Sequence, residues 1–181
     1  MGAFQPHQLL HPGFLRRVEH ILDETGAHPE WFEFEITENA VMKDVQKAVQ
    51  IMSSLTRMGI TLAIDDFGTG HSSLSYLKSF SIHTLKIDIS FVRDLPDDED
   101  AVAIAQSIIS LGKGRGLTVV AEGVETAEQA DFLAAQNCDV LQGYHIAKPL
   151  TPADFEAWYL NHDAAQNAQV DHNSAHTIVE L

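Results

Sequence analysis

Strand-like and helix-like patterns alternate five times along this chain, and that alternation limits the fold more than any single residue does. Residues 31–37 (WFEFEIT) alternate apolar and polar with period two, as a half-buried strand must. Residues 45–57 then place Val45, Val49, Met52 and Leu55 at helical spacing, and Gly59 stops them. The same alternation continues as strands at 59–64, 83–89, 117–121 and 139–144, separated by helices at 73–80, 101–111 and 127–136. A helix at 12–25 precedes the series, with Phe14, Leu15, Val18, Ile21 and Leu22 on one face. A last helix at 152–160 closes it, with Thr151 as N-cap and Pro152 at the first helical position. Strands that alternate with helices pack as a parallel sheet with helices outside, so the expected class is α/β with about five parallel strands. From residue 163 the composition turns to Ala, Asn, Gln and His without periodicity. The expected division is therefore one domain over residues 1–162 and a mobile tail over 163–181.

In parallel α/β folds the loops at the C-terminal ends of the strands converge, and chemistry collects there. The most pointed such end is Asp65-Asp66, which follows the run Ile60, Leu62, Ile64 and precedes Phe67-Gly68-Thr69-Gly70. Adjacent carboxylates repel unless a cation or protons neutralise them. Two readings of this stretch stand side by side: a divalent-metal site, or an acidic loop leading to a helix capped by Ser72 or Ser73. The other strand ends add polar groups in the same place. Glu35 and Glu38 close the first strand, Lys86 and Asp88 lie two apart on the third, Glu122 and Glu125 follow the fourth, and Gln142 ends the fifth. Each alone is explained by capping or solvent exposure; five together in one parallel array favour a site.

Composition narrows the chemistry. A formal net charge of −15 argues against binding a nucleic-acid polymer, which needs a basic face. An acidic protein acting on an anionic substrate needs metal ions to offset its own field. Carboxylates and an amide oxygen suit a hard cation such as Mg²⁺ or Mn²⁺, whereas no Cys or His pair has zinc spacing. The single cysteine, Cys138, forms no internal disulfide and suits a reducing cytoplasm. No apolar stretch reaches the length of a membrane span and no export leader is apparent, so the expected location is cytoplasmic.

Five segments then resemble one family. Phe34-Glu35-Ile36-Thr37-Glu38, Asp65-Asp66-Phe67-Gly68-Thr69-Gly70, Leu85-Lys86-Ile87-Asp88, Ala121-Glu122-Gly123-Val124-Glu125-Thr126 and Gln142-Gly143-Tyr144 are similar, in order, to the motifs of the EAL domain family. The resemblance implies a (β/α)₈ TIM-type barrel that hydrolyses cyclic di-GMP to the linear dinucleotide pGpG with two Mg²⁺ or Mn²⁺ ions. It implies metal-site roles for Glu35, Asp65, Asp66 and Glu122, a water-positioning role for Lys86, and substrate contact for Gln142. It also implies that Glu38 anchors the loop from Phe67 to Ser73.

The chain departs from the family pattern at its front. A whole barrel takes roughly 250 residues, and the family's Glu-Ala-Leu strand and its ligand asparagine would both lie before Phe4. The expectation is thus a partial barrel short of two metal ligands and impaired in hydrolysis by itself. The alternatives are a non-catalytic regulatory or interaction remnant and a truncated product without function. A partial barrel leaves strand edges open, so self-association or recruitment of a complementary fragment is also expected.

Overall fold

The computed structural model describes residue 4 and residues 6–69, 74–167 and 176–177. Two helices come first, α1 (Pro6–Leu9) and α2 (Phe14–Thr25), the second closed by Gly26 in the left-handed conformation with its N–H on the Leu22 carbonyl. A 3₁₀ turn at Pro29–Trp31 leads to β1 (Glu33–Thr37). The expected strand start at residue 31 gives way to this turn because Pro29 fixes the helical φ that begins it. Next come α3 (Glu38–Met42), α4 (Val45–Arg57) and β2 (Thr61–Phe67). They are followed by α5 (Leu74–Leu77), β3 (Thr84–Ile87), α6 (Ile89–Val92) and α7 (Glu99–Gly114). The chain continues through β4 (Thr118–Ala121), α8 (Ala127–Ala135), β5 (Val140–Leu141), α9 (Pro152–Asn167) and β6 (His176–Thr177).

All six strands run parallel in the order β1-β2-β3-β4-β5-β6, so each neighbour in sequence is a neighbour in space. Helices in the connections cover one face, as an α/β fold requires. On that face α4 supplies Ala48, Ile51, Met52 and Leu55, and α7 supplies Ala101, Ala105, Ile108 and Ile109. They close over Leu62, Ile64, Leu85, Ile87 and Val119 in a single core. At Gly112 a β-carbon would overlap the Val119 side chain, so only glycine lets α7 lie this close to β4.

Two further expected boundaries shift for local reasons. The strand expected over 83–89 stops at Ile87, because Asp88 turns out of the sheet and its carboxylate accepts the Ser90 N–H as N-cap of α6. Lys86 and Asp88 therefore do not share a strand. The strand expected over 139–144 has only Val140 and Leu141 in the ladder, and Gln142 begins the loop beyond it. Of residues 163–181, expected as a mobile tail, the described ones are the end of α9 and the two-residue β6 beside β5. The serine caps expected for α5, Ser72 and Ser73, lie outside the described residues.

The outer edge of β1 is met at Ile36 by a parallel bridge from Phe4, whose N–H donates to the Glu35 carbonyl at 2.7 Å. Between this edge and α2 runs an apolar groove of about 650 Å³, lined by Phe4, Phe14, Val18, Ile21, Phe32 and Phe34.

Candidate active site

On a strand, side chains alternate between faces, so the residues opposite the helices form their own row. Glu35 on β1 is level with Ala63 on β2, Ala63 with Thr84 on β3, and Thr84 with Thr118 on β4. One step further along β3 stands Lys86, whose side chain is only 4% exposed. An isolated buried ammonium would be strongly disfavoured. Here it forms ion pairs with Glu35, with Glu122 at 2.5 Å and with Asp65 at 3.8 Å. Burial pulls the Lys86 ammonium toward neutrality, but the charge and hydrogen bond of Glu122, then Glu35 and Asp65, reverse this and hold its pKa above the ordinary lysine value. Lys86 stays charged.

The carboxylates carry the opposite imbalance. One ammonium facing three ionised carboxylates leaves two negative charges in a half-buried cluster. Burial, outweighing the attraction of Lys86 and joined by the charges of Asp65 and Glu35, pushes Glu122 up to about 7. Asp66 rises to about 6, first through burial, then through the neighbouring charge of Asp65 and a hydrogen bond to Asp88. This strand end is irregular: the ladder between β2 and β3 shifts register between Ile64 and Phe67, and Asp66 adopts a left-handed φ of 55°. A bulge of this kind re-aims side chains that would otherwise point to opposite faces. Asp65 and Asp66 thereby both act on Lys86, which simple alternation does not allow.

Glu38 opens α3 directly after β1 and is 5% exposed. Its Oε2 accepts the Gly68 N–H at 3.1 Å, tying α3 to the loop after β2. Its Oε1 is buried without a hydrogen-bond partner among the described residues. Gln142 follows β5: its N–H donates to the Ala121 carbonyl at 2.9 Å and its carbonyl accepts the Val124 N–H at 3.0 Å. These bonds hold it beside Glu122, and both line a cavity of about 320 Å³ together with Ile89, Glu125 and Tyr144. Gly143 is obligatory there, since a β-carbon would collide with the Val124 backbone.

Every residue singled out at a strand end thus lies at one end of the sheet. Glu35, Asp65, Glu122 and Lys86 meet directly; Asp66 joins through its charge; Glu38 and Gln142 flank them. Asp88 was read with Lys86 at the end of the third strand; that it pairs with Asp66 follows from the bend after Ile87. Ile89, which walls the cavity, carries no signal in the sequence beyond being apolar, whereas Tyr144 beside it stood in the sequence as the last residue of the fifth motif.

The carboxylate oxygens match a hard divalent cation in donor type, and three of them face a single ammonium. Among the described residues, no three His, Cys, Asp or Glu side chains stand in a metal-holding arrangement. The Lys86 ammonium, bound to Glu35 and Glu122, takes that central place.

The EAL domain family model matches residues 3–149. The cyclic di-GMP phosphodiesterase NbdA of Pseudomonas aeruginosa is 41% identical over 139 residues, which are 77% of this chain and 18% of NbdA. A solved structure described as "PaMucR Phosphodiesterase, c-di-GMP complex" superposes with a TM-score of 0.81 at 37% identity, covering 84% of this chain and 62% of that one. The manganese/cyclic di-GMP complex of Klebsiella pneumoniae BlrP1 superposes with a TM-score of 0.72 at 33% identity, covering 79% of this chain and 37% of that one. The chain spans about a fifth of the length of the curated relatives it matches. With the family's five motifs gathered at one end of one parallel sheet, this chain belongs to the EAL domain family.

Proposed function

We propose that this chain carries the carboxylate-and-lysine part of a site for metal-assisted hydrolysis of cyclic di-GMP to pGpG, in the cytoplasm of a bacterium. The observation that supports it most is the convergence of Glu35, Asp65 and Glu122, from three different strand ends, on the buried ammonium of Lys86. Glu35, Asp65, Asp66 and Glu122 would hold one or two Mg²⁺ or Mn²⁺ ions. When bound, such ions lower the pKa of coordinated water and offset charge on the phosphoryl oxygens. The rest falls to the chain. Lys86, kept charged, holds the attacking water or the phosphoryl oxygen and stabilises the charge that develops there. Glu122, ion-paired to Lys86, stands at the same reacting centre. Gln142 contacts the bound dinucleotide, and Glu38 keeps the loop after β2 in place through Gly68. The open edge of β1 would pair with a complementary strand-bearing segment or a second copy.

A second reading, a regulatory module that binds cyclic di-GMP without turnover, is favoured by one observation. Lys86 is already ion-paired to Glu35 and Glu122, so a metal must compete with it. Incubation of the purified chain with cyclic di-GMP and Mn²⁺, followed by chromatography of the products, separates the two. Formation of pGpG that is lost in Asp65→Asn and Lys86→Met supports hydrolysis. Tight nucleotide binding without product selects the regulatory module. Neither binding nor product sinks both.

A further inference from the structure

The apolar groove beside β1 lies on the opposite face of the sheet from the acidic cluster. Phe34 and Ile36 alternate with Glu35 along β1, so they face the helices while Glu35 faces Lys86. The groove, about 650 Å³ in volume, runs beside the roughly three turns of α2. Its walls are open to water: Ile21 is 49% exposed and Phe32 38%. The charge in the lining is one-sided. Among the described residues, His7, His11 and Arg17 stand between the apolar side chains, and no aspartate or glutamate does. In a chain of net charge −15 this is the reverse of the average surface.

A complementary surface is found on α9, which follows β5 in the chain, toward the far end of the sheet from β1. Tyr159 is 53% exposed and Leu160 64%. The Phe155 ring lies 6.1 Å from the ring of Tyr159 and 6.3 Å from that of Trp158, so aromatic residues at i, i+3 and i+4 share one face. Asp154 and Glu156, both exposed, flank that face, and α9 contains no lysine or arginine.

Exposed apolar patches mark contact surfaces, and an apolar helix face laid in an apolar groove is a recurring mode of recognition. We propose that the groove of one copy of this chain receives α9 of a second copy, with Arg17, His7 and His11 meeting Asp154 and Glu156. Strands β2, β3 and β4 stand between β1 and β5, so the two surfaces meet across copies. The contact joins two different faces and is therefore heterologous: each copy can give its α9 and receive another's. It uses side chains on the helix-bearing face and not the unpaired backbone of β1, which separates it from pairing between strand edges. Because the groove faces away from Lys86, its occupation leaves the acidic cluster open. The contact needs neither metal nor nucleotide, and it is independent of whether the cluster hydrolyses cyclic di-GMP.

The test follows the mass of the purified full chain by analytical ultracentrifugation over a range of concentrations. Ile21→Asp puts a carboxylate into the groove, and Tyr159→Asp puts one on the face of α9. Each should weaken self-association about 30-fold or more, the loss expected of a residue central to an interface, with the fold intact by circular dichroism. The equimolar mixture of the two variants separates this contact from any other. The first variant keeps its α9 and the second keeps its groove, so together they should form dimers and nothing larger. Arg17→Glu and Leu160→Asp change exposed side chains on the same two surfaces and replace either variant that unfolds. A monomeric parent, or unchanged association in a variant of either surface, overturns the contact. So does a mixture that stays monomeric, which assigns the association to β1 edges or another surface shared by both copies.

Discussion

At the residue scale, Lys86 and its carboxylates hold one another in place, and removing either side exposes the other. Lys86→Met would keep most of the apolar volume but leave Glu35, Asp65 and Glu122 without their counter-charge. Breaking a buried pair from one side typically costs about 3–5 kcal/mol. Urea unfolding at pH 7.5 should show a loss of that order, and a smaller one at pH 5, where the carboxylates can take protons. The parent has its own pH signature when metal is absent. Burial pushes Glu122 up to about 7 in the folded chain from an ordinary 4.5, and Asp66 to about 6 from 3.8. Between each pair of values the folded state holds a proton that the unfolded state has released. Their contribution to stability is therefore full below the lower values and is lost as pH rises through about 6 to 7. In EDTA the urea midpoint should fall from pH 5 to pH 8, less steeply in Glu122→Gln, and Mn²⁺ at pH 8 should recover part of the loss. A parent and a Glu122→Gln protein with parallel pH profiles would remove Glu122 as the source.

At the scale of elements, the loop after β2 is where sequence and fold meet most directly. The motif Asp65-Asp66-Phe67-Gly68 was legible as a site because two carboxylates and a glycine followed an apolar run. Its bulge was not legible, because a shift in pairing depends on β3 and not on the residues of β2 alone. Glu38 reaches this loop from α3, an element that no periodicity announced in its five residues. Truncation to Glu38→Ala removes the acceptor for the Gly68 N–H. The charged hydrogen bond is worth about 1.5–3 kcal/mol, and the loss should appear locally. Hydrogen exchange at the Gly68 amide should accelerate about 10- to 100-fold, with the amides of β3 little changed. Equal acceleration throughout the sheet would make Glu38 a general stabiliser and not a loop anchor.

For the whole molecule, the described sheet is an arc with two ends and not a closed ring, and its β1 end is the apolar one. Phe32 and Trp31 are exposed beside that edge, and the groove against α2 is lined by aromatic and branched side chains. Open, apolar edges pair with other strands. The purified chain should therefore elute above its monomer mass of 20.0 kDa, as read by size-exclusion chromatography with light scattering, and Phe32→Lys should shift it toward monomer. A sharp monomeric peak from the parent with cooperative unfolding would show that this edge is tolerated in water. Among the described residues, no helix is long and apolar enough to cross a membrane.

What the sequence by itself determined was the class of fold, the order of the elements and the end of the sheet where polar groups collect. These follow from periodicity and from turn residues, which act over a few positions and need no knowledge of distant contacts. Residue types also carried the acidic, oxygen-donor chemistry of the site. Only the tertiary structure decided that Lys86 would be buried between Glu35, Asp65 and Glu122 and not face outward. It also placed Asp88 with Asp66, and Ile89 with Tyr144 around one cavity. Each of these pairs joins residues from different connections, and their meeting depends on strand register, on a bulge and on glycines that let backbones touch. Such terms are set by how the strands and helices pack together, and a linear pattern does not contain them.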